Sequence, residues 1–130
     1  MADTATHAIM GAAVMSLCSK QRSTKIDLAV YGLIFGAWPD AVPWVLSSFG
    51  RDRWALYNVY HHSLLDFPKN LCWIDFMPPA LLHVLVDIPF HPSPGYPWGS
   101  NGWLVTLDIA LLLFSIALGI YSFTAQMEKP

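Results

Sequence analysis

Residues 103–123 form an apolar run in which Asp108 is the only charge. At 1.5 Å per residue, a helix over that run covers roughly 30 Å, the thickness of the hydrocarbon core of a bilayer. A chain of 130 residues is one compact unit, and by length alone it could be a small soluble domain. Its composition argues for lipid instead. Hydrophobic residues make up 55% and charged residues 12%, with a mean hydropathy of +0.42. A soluble domain spends about a quarter of its residues on charge. The sequence therefore predicts an all-α fold: a polytopic transmembrane helical bundle, residues 1–130 forming a single domain with no internal repeat.

Four further segments complete the expected bundle of about five, some of them short or broken. Residues 26–46 are the next clear span, with Asp27 at the entrance and Asp40 inside. Residues 4–18 are short and rich in Ala, Gly and Ser, which let helices approach closely. Gly11, Gly32 and Gly36 are accordingly read as packing residues. Asp66, Pro68, Lys69 and Asn70 make a polar break that divides the middle into 54–67 and 71–90. Pro78-Pro79 should kink the latter piece or start a new helix there.

Charge fixes an expected orientation. Lys20, Arg22 and Lys25 fall in the first connection, which the positive-inside tendency places in the cytoplasm. Lys69 and Lys129 then also lie inside, while Arg51, Arg53, the N-terminus and the loop 92–102 lie outside. Trp44, Trp54, Trp98 and Trp103 would mark the outer boundary. The net charge of −2 offers no basic face, so nucleic acid is not an expected partner. Cys18 and Cys72 form no CxxC pattern, and neither a disulfide framework nor a c-type haem site is indicated. The first residues carry Asp3 as their only charge, unlike a signal peptide, and the N-terminus is expected to be retained.

On that topology the ionisable residues gather. His7 opens the first segment and Asp40 lies toward the outer end of the second. His61 and His62 sit midway along the third, His83, Asp87 and His91 approach the outer end of the fourth, and Asp108 lies near the start of the fifth. Such groups are expensive in lipid, and their convergence on one side points to function. Imidazole and carboxylate together suit zinc, iron or manganese. His83 and Asp87, four residues apart, share a helix face. His91 stands about 12 Å from His83 along a straight helix. Either Pro89 bends the chain, or two ions are held, or His91 only supports a ligand. Taken singly, an intramembrane histidine or acid such as His61 or Asp108 is as readily a contact between helices.

The order Thr6-His7-xxx-Gly11, Pro39-Asp40, His62-Ser63 and His83-xxx-Asp87-xxx-His91 resembles the membrane-bound metal-dependent hydrolases. This bacterial and archaeal group includes LexA-binding inner-membrane proteins and is distantly similar to zinc-dependent phospholipase C. The resemblance runs from His7 to about Trp98 and lies in the order and spacing of short motifs. It implies a metal-binding set of His7, Asp40, His62, His83, Asp87 and His91, with a divalent ion, zinc before manganese or iron. It also implies hydrolysis of a phosphoester or lipid-like substrate at the inner membrane. The chain departs from the pattern chiefly at Val42, in place of an Asp, and Tyr57, in place of a His, and also at Asn58, Val59, His61 and Phe90; the loss of a carboxylate and a histidine would reduce a two-ion site to one ion or to none.

As an enzyme, the chain would use Asp40 as a ligand or general base and His61 to protonate the leaving group, with Asp108 orienting an imidazole. Two readings from other classes stand beside this one. The first is a non-catalytic membrane subunit or scaffold with a degenerate metal site, working as a homo-oligomer or in a larger membrane complex. The second is a b-type haem protein with His62 and His83 as axial ligands.

Overall fold

The computed structural model of the chain describes residues 3–48, 77–87 and 102–128. These residues contain four helices and no strand: α1 (Thr4–Ser16), α2 (Arg22–Ser47), α3 (Pro78–Asp87) and α4 (Gly102–Thr124). The described fold is all-α, as predicted. The segment 54–67 and the loop 92–102 up to residue 101 lie outside the described residues.

Local chemistry sets the helix ends. Asp3 has an extended backbone, and its side chain accepts the Thr6 N–H at 2.8 Å and the Thr6 hydroxyl at 2.7 Å. This satisfies one of the donors that a helix start leaves orphaned. At α3 the Met77 carbonyl accepts from both Ala80 and Leu81 at 3.0 Å. Pro78 and Pro79 occupy first-turn positions, where a missing N–H costs nothing. Of the two outcomes open to this proline pair, the chain adopts the helix start. The second helix begins earlier than expected, at Arg22, and that brings Lys25 out of the connection and into the first turn.

Helix α1 packs on all three of the others, and α3 also packs on α2. Asp3 meets Asp108 near the start of α4, and Ser16 meets Ser122 near its end, so α1 and α4 run in the same direction. Lys25 meets Ser16 while Gly36 lies against His7, so α2 runs opposite to both. The α1–α2 contact is backbone on backbone. A Cβ on Gly11 would strike the Gly32 carbonyl, one on Gly32 would strike the Gly11 carbonyl, and one on Gly36 would lie 2.5 Å from the His7 carbonyl oxygen. Gly32 and Gly36 are four apart, the small-residue spacing that brings helices close.

Polarity is arranged from inside to outside. Thr6, His7, Ser16, Lys25, Asp40, His83, Asp87, Asp108, Ser115 and Ser122 are buried, alongside a small apolar set of Met10, Ala13, Ala80, Val84 and Leu104. Large apolar side chains such as Val30, Leu33, Leu85, Leu113, Phe114 and Ile120 are exposed. Lys25, at 0% exposure, donates to the Ser16 carbonyl at 2.8 Å and the Ser122 hydroxyl at 2.9 Å, and Ser16 Oγ donates to Ser122 Oγ at 2.8 Å. An ammonium on the last turn of α1 offsets its orphaned carbonyls. Three helices are thereby pinned at the end far from His7.

Among the described residues, α4 is the one helix long and apolar enough to cross a membrane. Only 17% of its most apolar stretch is buried.

The glycines make the packing testable by thermal unfolding in detergent, followed by circular dichroism. Gly32→Ala should destabilise by about 3 kcal/mol or more, because backbone rather than a movable side chain is struck. At Gly119 an added Cβ would meet only Ala13 Cβ, at 3.8 Å. Gly119→Ala should therefore stabilise by about 0.4–1 kcal/mol.

Candidate metal centre

The α1–α2 contact brings His7 of α1 beside residues 36–40 of α2, and α3 lies across both. His83 Nδ1 donates to the Gly36 carbonyl at 2.6 Å, so that in the neutral ring it is Nε2 that carries the lone pair. Nε2 then faces two acids, 3.3 Å from Asp87 Oδ2 and 3.5 Å from Asp40 Oδ1. On the other side Asp87 Oδ1 takes a hydrogen bond from His7 Nε2 at 2.9 Å. The two imidazoles stack with centroids 3.5 Å apart and planes 18° from parallel. All four side chains are buried, Asp87 being the most exposed of them at 5%.

His7, His83 and Asp87 each offer one donor atom, and those atoms lie within 4.8 Å of one another. Two ligands at about 2.0–2.1 Å from one ion are at most roughly 4.2 Å apart. The donor set fits a borderline-soft divalent ion such as zinc. His7 Nδ1 is buried and has no hydrogen-bond partner among the described residues, a cost a ligand could relieve.

The predicted residues divide as follows. His7 of α1, Asp40 of α2, and His83 and Asp87 of α3 come together. His61, His62, His91 and Tyr57 lie outside the described residues. Asp108 accepts the Asp3 N–H at 3.1 Å and so holds the start of α1. Asp3 itself is held below the usual carboxylate range. Its partial burial works the other way and is outweighed by a hydrogen bond shared with the Asp108 carboxyl, by those from Thr6, and by the charge His7 can carry.

Three contributors escaped the sequence reading. The Gly36 carbonyl is backbone and has no residue signature. Thr4 Oγ1 donates to Asp40 Oδ2 at 3.0 Å, and Asp3 anchors the helix that carries Thr4. Asp3 ahead of Thr4 is a capping signal, which agrees with the expected start of α1 at residue 4 but carries no sign of the link to Asp40.

No protein-family model, curated protein or solved structure matches this chain.

Asp87 is the hub of the arrangement, and its removal can be read without any ion. In chelator-treated protein, Asp87→Ala should lower stability by about 1–3 kcal/mol, since the buried His7 Nε2 loses an acceptor. An unchanged unfolding temperature would contradict the geometry described here.

Proposed function

We propose that this chain is a membrane-embedded, metal-dependent hydrolase of the kind its motif order resembles, acting on a phosphoester or lipid-like substrate. The observation that carries the proposal is the buried His7–His83–Asp87 group, with Asp40 beside it, inside a bundle whose exterior is apolar. The membrane reading is supported by the exposed faces of α2 and α4 and by the polar interior. A core helix of a soluble protein would be largely covered, and α4 is not. On this reading the chain has about five membrane segments and lies in the inner membrane, with the metal centre in the outer half. The shared direction of α1 and α4, with α2 opposed, is what alternating spans require.

His7, His83 and Asp87 would hold the ion, zinc before manganese or iron. Such an ion lowers the pKa of a water molecule toward neutrality and polarises a phosphoryl or acyl oxygen. The chain's own part is to bind and to move protons. The Gly36 carbonyl keeps His83 in the tautomer that presents Nε2. Asp40, next to the three donors but not one of them, is the group placed to accept a proton from the attacking water. His62 and His91 would extend the set, and His61 would supply the proton for the leaving group.

The haem reading fits less well. His83 Nε2, the atom an iron would need, already faces two carboxylate oxygens. The scaffold reading is favoured by Val42 and Tyr57, since the family pattern has a further acid and a further histidine at those positions.

Elemental analysis and an absorption spectrum on detergent-purified protein separate these readings. The expected result is roughly one zinc or manganese per chain, with no Soret band. The double replacement His83→Ala with Asp87→Ala should remove the metal. Release of headgroup from phospholipid vesicles by the loaded protein, abolished in Asp40→Asn, would mark the enzyme. Metal retained without any such hydrolysis would mark the scaffold, and metal content unchanged in the double variant would end the proposal.

A further inference from the structure

Thr4 opens α1 with its side chain exposed while its neighbours Thr6 and His7 are buried. Its hydroxyl donates to one oxygen of Asp40 at 3.0 Å. The other oxygen of that carboxylate is the one 3.5 Å from His83 Nε2. A carboxylate can turn about its Cβ–Cγ bond, and that torsion has a broad, shallow preference. A donor on Oδ2 therefore favours the torsion that turns Oδ1 toward His83 Nε2.

The donor's own position is well determined. Asp3 holds the first turn of α1 through the Thr6 N–H and hydroxyl. The Asp3 N–H is in turn bound to Asp108 on α4. Hydrogen bonds at the start of α1 thus reach Asp108 on α4 from Asp3 and Asp40 on α2 from the adjoining Thr4. Asp40 faces His83 on α3.

We infer that Thr4 is a positioning residue: its hydroxyl holds Asp40 with Oδ1 turned to the His7–His83–Asp87 group and so raises the affinity of that group for a divalent cation. This role rests on the metal-binding reading of the site and adds a residue that the resembling motifs do not include. Outer partners of this kind are worth about 10–100-fold in metal affinity when removed.

The test uses the full chain in detergent micelles, stripped with a chelator and titrated with zinc alone against a competing chromophoric chelator. Thr4→Val keeps the shape and removes the hydroxyl, and Thr4→Ser restores the hydroxyl. Thr4→Val should weaken zinc binding by about 10–100-fold, with Thr4→Ser close to the parent chain. Metal-free Thr4→Val and Thr4→Ser should unfold at matching temperatures. If Thr4→Val also loosens the helix start, a second comparison isolates its action through Asp40: in an Asp40→Asn background, Thr4→Val should cost no further affinity. Parent-like zinc binding by Thr4→Val would overturn the role, as would a full additional loss in the Asp40→Asn background. A parent chain that binds no zinc would instead remove the metal centre itself, and with it any role for Thr4 in it.

Discussion

The backbone contact of α1 with α2 at Gly11, Gly32 and Gly36 is the constraint on which the rest of the structure depends. α1 has only thirteen residues, roughly 20 Å of helix, yet it is the element that touches α2, α3 and α4. A short helix can do this only if its neighbours come close, and side chains larger than hydrogen would hold them apart. The same closeness builds the candidate metal centre. It sets the His7 carbonyl against Gly36, and one turn of α2 therefore offers the Gly36 carbonyl to His83 and the Asp40 carboxylate to the same ring.

Two polar layers then fix the register of the helices. One holds His7, Asp40, His83 and Asp87, tied through Asp3 to Asp108. The other holds Ser16, Lys25 and Ser122, nine residues further along α1 and so about 14 Å away. Apolar packing between helices is non-directional, and in lipid it gives little preference for one register over another. Buried hydrogen bonds do give that preference, because a slip of one turn would leave donors and acceptors unsatisfied. The apolar contact between α3 and α4, around Leu104 with Val86, Leu107 and Leu111, adds area but not register. Lys25 finds neutral oxygens rather than a carboxylate, and its partner carbonyl lies at the negative end of the α1 dipole. Among the described residues its charge is met by helix geometry and not by an ion pair.

Much of this was legible in the sequence, and what escaped did so for physical reasons. The helices followed from apolar runs, and Pro78-Pro79 marked a start. His7, Asp40, His83 and Asp87 stood out because ionisable groups within apolar segments must find one another. Lys25 was misplaced because the positive-inside tendency assigns basic residues to connections, whereas four more helical residues ahead of Ile26 carry it into the bundle. The Thr4 contact with Asp40 escaped because a capping signal is local and says nothing of a partner thirty-six positions away in sequence. The Gly36 carbonyl could not be read at all, because an acceptor supplied by the main chain leaves no trace in residue type.

The place of Asp40 bears on what such a centre does. Structural zinc sites close all four positions with protein ligands, whereas catalytic ones use three and leave the fourth open. Here three donors converge, and the next acid faces one of them at 3.5 Å, held through its other oxygen by Thr4. A tethered carboxylate beside three converging ligands suits a proton acceptor better than a fourth ligand. The departures at Val42 and Tyr57 bear on this too. The family pattern's additional Asp and His would supply donors enough for a second ion, and a chain without them is left with the smaller set. On the proposed hydrolase reading, chemistry with one ion would place the demand for a base on the protein, and Asp40 is the residue set beside the three donors to meet it.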